Sequence, residues 1–312
     1  MAVATLVRLP NLLIIVLTQF LIRYGILRTF LFSGEGYMMS GFLDFSLLVF
    51  ITILIASGGY IINDYYDISI DQINKPKKRV IDTLVSSHTA IILYVIVTSL
   101  AILLGLFLAF RINSTSFGLI FPSVGVMLWL YSSRYKRSLL WGNLIVALLS
   151  ALVILIIWLF EFFHLRLNPE NFSSLLNNFK SVNQFIIAYS LFAFLTTLFR
   201  EIIKDVEDLE GDREFSSQSL PVTIGVRKTR YIIAFLILVT FTLLVYGQVV
   251  VSRLDLTAVF WYLLFVVECP LLLLLYKLVK AQNKEDYHSL SLLSKMIMLA
   301  GILSMQLITI SL

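Results

Sequence analysis

The residues in this chain best suited to chemistry are acids. Of its 19 aspartates and glutamates, 11 fall in two short stretches. The first holds Asp64, Asp67, Asp71 and Asp82; the second holds Glu201, Asp205, Glu207, Asp208, Glu210, Asp212 and Glu214. Acids that serve only to keep loops soluble would be spread over all the loops. Within each stretch three aspartates repeat one spacing, D-x-x-D-x-x-x-D: Asp64, Asp67 and Asp71, then Asp205, Asp208 and Asp212, 141 residues on. On a continuous helix, positions i, i+3 and i+7 share one face within about 60° of arc.

Two facing carboxylate surfaces repel unless cations lie between them. Carboxylates, water and phosphate oxygens form the usual ligand set of Mg²⁺, which takes one or two carboxylates together with substrate phosphates. Bases accompany the acids: Lys75, Lys77, Lys78, Arg79, Lys136, Arg137 and Lys204 flank the same region and suit non-bridging phosphate oxygens. The implied ligand is a Mg²⁺-bound polyanion, and a lipid diphosphate fits.

The elements that must carry these groups are apolar. Hydrophobic residues make up 59% of the 312 positions and charged residues only 14%, against about 45–50% and about 25% in soluble domains. The apolar residues come in blocks of roughly 20, enough to cross about 30 Å of hydrocarbon. Nine such segments are expected, at Leu12–Leu31, Phe42–Ile62, Thr89–Phe110, Phe117–Tyr131, Leu139–Phe160, Gln184–Ile203, Arg230–Val251, Thr257–Leu278 and Leu290–Ile310. The fourth is the shortest, and Asn168–Lys180 reads as a polar outer loop. The expected fold class is therefore an all-α membrane protein, a bundle of nine transmembrane helices in two related halves around a central cavity. Residues 1–312 form a single polytopic domain, with the first aspartate motif at 63–71 and the second at 205–212. The first block is too long for a signal h-region and no small-residue cleavage site follows it. One cysteine, Cys269, excludes an internal disulfide, and His88, His164 and His288 are too scattered to ligate a metal together.

Lysine and arginine set the orientation. With the N-terminus cytoplasmic, 17 of the 24 basic residues lie on that side and 5 on the other (Arg28, Arg111, Arg166, Lys180 and Arg253), while Arg23 and Lys295 fall within segments. Nine crossings put the C-terminus on the opposite side. Both acidic stretches then emerge on the cytoplasmic face, from the second and sixth segments.

At these residues the chain resembles the UbiA superfamily of intramembrane prenyltransferases. The resemblance rests on Asn63–Asp71, on Tyr131-Ser-Ser-Arg-Tyr-Lys136-Arg137 followed by Gly142-Asn143, on Arg200-Glu-Ile-Ile-Lys204-Asp205 through Gly211-Asp212-Arg213, and on Ser219-Leu-Pro221 with Gly225. It implies that all six aspartates hold Mg²⁺ on a prenyl diphosphate, making them both the catalytic residues and the metal ligands. It further implies that Asn63 positions the donor or a metal-bound water, that Arg79 and Lys136 contact the diphosphate, and that Tyr131 lines the site near the allylic carbon. Lys204 joins the substrate-binding set as a flanking base. Two features depart from the family pattern: Val80 follows Arg79 where a proline is frequent, and the Tyr131–Lys136 loop lacks a proline. The opening Arg8-Leu-Pro10-Asn11 looks like the lipid-forming branch, which prenylates a glycerol-phosphate prenyl ether. A lipid or an aromatic acceptor therefore stands beside the polyprenyl diphosphate donor, with membrane lipids around the chain and no nucleic acid among its partners.

The chemistry so implied is Mg²⁺-dependent prenyl transfer. Breaking the donor C1–O bond gives an allylic cation that aromatic faces stabilise; Tyr65, Tyr66, Tyr131, Tyr135 and Trp141 are near enough to the motif ends, although interfacial anchoring alone accounts for most such residues. A prenyl diphosphate cyclase or hydrolase would use the same aspartates. A transporter would share the internal repeat, but its charges would lie along a path rather than at one face. Small residues at Ala56-Ser57-Gly58-Gly59 and Gly105 point to close helix packing. Arg23, inside the first segment, either meets an anionic acceptor or pairs within the bundle, with Glu268 as candidate partner, and Lys295 reads as a snorkelling lysine.

Overall fold

The computed structural model describes residues 2–31, 39–69, 72, 80–215 and 217–311. Among these, nine helices are long and apolar enough to cross a membrane. They are α1 (Leu9–Leu31), α2 (Phe42–Tyr66), α3 (Ser87–Arg111), α4 (Thr115–Ser133), α5 (Trp141–Leu165), α6 (Pro169–Glu207), α7 (Val226–Arg253), α8 (Thr257–Lys280) and α9 (Lys284–Ser311). Local chemistry places their starts. The Ser86 hydroxyl accepts from the Thr89 amide and Ser114 from the Phe117 amide, capping α3 and α4. Pro10 and Pro169 stand in the first turns of α1 and α6, where a missing N–H costs nothing.

The fourth segment proves a full crossing of 19 residues. The expected outer loop Asn168–Lys180 is instead helical: Asn168 caps α6, and the helix runs 39 residues to Glu207. Apolar side chains on its polar-looking first turns explain this, because Phe172 packs edge-on against Phe162, and Phe179 packs edge-on against Trp158 and at a tilt against Phe162. That aromatic cluster stabilises a helix the hydropathy pattern ends too early.

Helix α6 packs against α5, α7 and α9, while α2 packs against α3, α4 and α1. These two are the helices that hand over to the acidic motifs. Large apolar side chains such as Leu103, Phe110, Phe235 and Phe265 on α3, α7 and α8 remain exposed, which suits helices facing lipid. Close packing uses the small residues as the sequence suggests: a Cβ on Gly105 of α3 would sit 2.4 Å from the Phe121 ring of α4.

Arg23 pairs inside the bundle, and its partner is Glu161 of α5 at 2.9 Å rather than Glu268. Both side chains are buried. Glu268 is on α8, in a π-helical turn at Leu263–Glu268; Arg23 occupies a second such turn, Ile22–Leu27. These widened turns place an ionisable side chain of α1 and of α8 inside the protein.

Candidate active site

Both acidic motifs begin on a helix and leave it. Helix α2 ends at Tyr66, so Asp67 is its cap, with φ −94° and ψ 1°. Helix α6 ends at Glu207, Asp208 has φ −93° and ψ 11°, and a short helix over Leu209–Glu214 carries Asp212. The continuous three-acid face expected from the spacing is therefore interrupted. The C-terminus of a helix carries partial negative charge, and further carboxylates there are unfavourable. Asp71 and Arg79, with Lys75, Lys77 and Lys78, lie outside the described residues.

A cavity of about 670 Å³ opens between α1, α2, α4, α5, α6 and α9, within the range typical of ligand sites. Asn63, Asp64, Asp67, Tyr131, Lys136, Lys204, Asp205, Asp208 and Asp212 all line it, so every described residue of the expected site converges there. Of the aromatics near the motif ends only Tyr131 lines it. Tyr65 and Tyr66 meet edge to face, and Trp141 is exposed.

On the α2 side, Arg8 donates to Asp64 at 2.5 Å and lies over the Tyr60 ring, 5.0 Å from its centroid. Burial opposes the Arg8 charge, yet the Asp64 carboxylate holds its guanidinium above the ordinary value. The Asn63 amide donates to Asp67 at 3.0 Å, and Lys136 donates to both the Asn63 oxygen, at 3.0 Å, and Asp67. Lys136 reaches them from the turn Tyr135–Arg137, which lies close over the start of α5 because residue 142 is glycine. A Cβ there would meet the Tyr135 carbonyl oxygen at 2.8 Å.

On the α6 side, Asn143 of α5 donates to Asp205 at 2.7 Å and Ser219 donates to Asp212 at 2.7 Å. Glu201 accepts from Arg200 at 2.9 Å and from Lys204 at 2.9 Å. Burial raises the Asp212 carboxyl above its usual range; Ser219 opposes the rise, and the like charges of Asp208 and Asp67 add to it.

The donor set is thus hard oxygen facing a cavity from two sides, crowded enough that the carboxylates disfavour one another's charge. That suits a hard divalent cation. Among the described residues no three acids close on a single point.

Arg8, Asn11, Asn143, Arg200, Glu201, Ser219 and Lys295 also belong to this site or its lining, although the spacing argument picks out none of them. A signal existed for all but Lys295: the motifs that carry the family resemblance include Arg8 and Asn11, Asn143, Arg200 and Glu201, and Ser219. Lys295 does not snorkel to the membrane surface, because its ammonium lines the cavity and donates to Asn11 at 2.9 Å.

The family model for the UbiA prenyltransferase family matches residues 29–298. A digeranylgeranylglyceryl phosphate synthase from Saccharolobus solfataricus is 34% identical over 210 residues, which cover 66% of this chain and 64% of that relative's length. A solved structure described as giving insight into digeranylgeranylglyceryl phosphate synthase in membranes superposes with a TM-score of 0.61 at 25% identity, covering 97% of each chain. A UbiA homolog from Archaeoglobus fulgidus, solved bound to GPP and Mg²⁺, shares the fold with a TM-score of 0.54 at 15% identity, over 98% of this chain and 100% of its own. The protein is an integral, multi-pass membrane protein. With a family match across most of its length and two acidic helix ends facing one cavity, the chain belongs to the UbiA prenyltransferase family.

Proposed function

We propose that this protein transfers a prenyl group from a polyprenyl diphosphate to the free hydroxyl of a glyceryl phosphate lipid that already carries one prenyl ether. The product class is the one named for the Saccharolobus relative. The observation that carries the reading is a single cavity that joins two acidic helix ends to an apolar interior lined by Ile55, Phe121, Val124, Leu128, Val153, Ile156 and Ile302.

In this reading Asp64, Asp67 and Asp71 with Asp205, Asp208 and Asp212 hold Mg²⁺, which supplies Lewis-acid stabilisation of the leaving diphosphate when bound. Asn63 and Asn143 fix Asp67 and Asp205 by hydrogen bonds, which holds the carboxylates in place before substrate arrives. Lys136, Lys204 and Arg79 receive the non-bridging oxygens of the diphosphate. Tyr131 faces the allylic carbon and shields it from water. The donor C1–O bond breaks and its electron pair leaves with the diphosphate. The acceptor hydroxyl oxygen bonds to C1, and its proton is lost from the ether so formed.

The excess of lysine and arginine supports a cytoplasmic mouth and N-terminus, with the C-terminus opposite. Reaction of a cysteine at Asn113 with an impermeant reagent from the cytoplasmic side would contradict that orientation. The reaction itself is tested by incubating membranes that contain the protein with radiolabelled geranylgeranyl diphosphate and a panel of acceptors. Label in a phosphate-bearing diether lipid is expected, whereas label confined to a phenol or to free prenol would overturn it.

A further inference from the structure

Among the described residues, the lysines and arginines that line the cavity inside its rim find carboxylate partners with one exception. Arg8 has Asp64, Lys136 has Asp67, and Arg200 and Lys204 share Glu201. Arg137, at the rim, donates to the Tyr66 carbonyl and is exposed. That leaves Lys295, whose ammonium has, among the described residues, no carboxylate within ion-pair distance and only the neutral Asn11 amide oxygen as a hydrogen-bond partner. Arg200 lines the same cavity and adds a second cation rather than a counter-charge. An ammonium in a largely apolar bundle without a counter-charge is unfavourable, and inside a membrane protein such a group marks a ligand path.

Depth separates this group from the aspartates. Asn11 is one helical turn beyond Arg8 on α1, and Tyr60 is one turn before Asp64 on α2, so Lys295, held by Asn11, sits about 5 Å below the layer in which Arg8 meets Asp64. Arg200 occupies a comparable level on α6, one turn before Lys204. Beneath Lys295 on the same face of α9 come Met298, Leu299 and Ile302, all lining the cavity. A cation directly above an apolar groove matches an amphiphile with one anionic group at the head of its chain.

We propose that Lys295, oriented by Asn11 and assisted by Arg200, is a second anion-binding pole that takes the phosphate monoester of the acceptor lipid, while the aspartate mouth takes the donor diphosphate. This rests on the reaction proposed above. It replaces Arg23, which is paired with Glu161 and Ser40 and does not line the cavity. It also gives the site a way to tell its two anionic substrates apart. The diphosphate needs a divalent cation between itself and carboxylates, whereas the monoester meets an ammonium and a guanidinium directly.

The test uses the full-length protein in detergent, with calorimetric binding of a prenylglyceryl phosphate and of a non-hydrolysable prenyl diphosphate analogue with Mg²⁺, alongside steady-state transfer. Lys295→Met should weaken phosphate-acceptor binding and raise its KM about ten- to a hundredfold, as for loss of a charged hydrogen bond. Binding of the donor analogue should be unchanged, and Lys295→Arg should recover most of the acceptor affinity. A loss confined to the donor analogue, or an equal loss of both ligands in Met and Arg variants alike, would overturn the pole. Acceptor binding by the natural protein without transfer would instead overturn the proposed reaction and leave the pole standing. Normal transfer with an unchanged acceptor constant in Lys295→Met would do the reverse.

Discussion

Arg23 of α1 and Glu161 of α5, 138 positions apart in sequence, meet at 2.9 Å in a part of the bundle sealed from solvent. Ser40 completes the arrangement: it donates to Glu161 from its amide at 3.1 Å and its hydroxyl at 2.7 Å, and its carbonyl accepts from Arg23. The guanidinium also lies over the Phe45 ring, 4.3 Å from its centroid. The charge at this depth therefore ties α1, α5 and the start of α2 together. Removing one partner leaves a buried charge uncompensated, which costs about 3–5 kcal/mol, whereas replacing both with apolar residues of similar volume is close to neutral. Arg23→Met should lower the unfolding temperature in detergent sharply, and Arg23→Met with Glu161→Leu should recover much of it. Where the single variant is still folded, both substrate constants should be normal. A raised acceptor KM with unchanged stability would show that Arg23 belongs to the site after all.

In the reaction proposed above, the two aspartate motifs act on one bound diphosphate from opposite walls of the cavity. Asp67→Ala and Asp208→Ala should each lower turnover by at least about 10²–10³-fold, the size of effect seen when one preorganised charge-stabilising group is lost. Groups that work as a unit are non-additive, so the double variant should be little worse than either single one. Single-turnover transfer of labelled donor is the measurement, and near-normal turnover in either single variant would break the paired-motif reading.

Metal dependence follows from the hard oxygen donors and from the crowding seen at Asp212, whose carboxyl burial and neighbouring aspartates hold above its usual range. Turnover should vanish on chelation with EDTA and return with Mg²⁺. A softer, thiolate-preferring ion should not substitute at equal concentration, since no cysteine is among the described residues that line the cavity. Full turnover in excess chelator, with trace metal removed, is the contrary outcome.

Hydropathy and charge spacing made the nine crossings and the two acidic helix ends legible, because both depend on short-range patterns along the chain. The missed features are tertiary. The early turns of α6 are helical only because Phe172 and Phe179 find Phe162 and Trp158 on α5. Glu161 reads as one acid in an apolar run until α1 is laid beside α5, and nothing in the spacing selects it over Glu268. Lys295 reads as a snorkelling lysine because sequence gives its position along α9 but not the direction it faces. Asn143 and Ser219 hold Asp205 and Asp212 from 62 and 7 positions away, and only folding brings Asn143 there. The interruption of each motif at Asp67 and Asp208 is also invisible to the spacing rule, which assumes the helix continues.

The floor of the cavity rests on a contact between a glycine and an aromatic ring. Phe121 of α4 lines the cavity, is almost fully buried, and stacks edge-on against Phe117 at 5.3 Å. Gly105 of α3 lies behind it, so closely that a Cβ would fall 2.4 Å from two atoms of the Phe121 ring. A side chain at residue 105 therefore has to displace that ring, and the cavity is the space beside it. Gly105→Ala should cost about 1–3 kcal/mol of stability, as overpacking does. It should also shorten the cavity, so that kcat/KM falls for a C20 prenyl diphosphate more than for a C10 one. Phe121→Ala should act in the opposite sense, opening the floor and raising the relative use of the longer donor. Competition between C10 and C20 donors in one reaction reads the ratio directly. A ratio unmoved in both variants would mean that the donor chain leaves the cavity between helices toward lipid before it reaches Phe121.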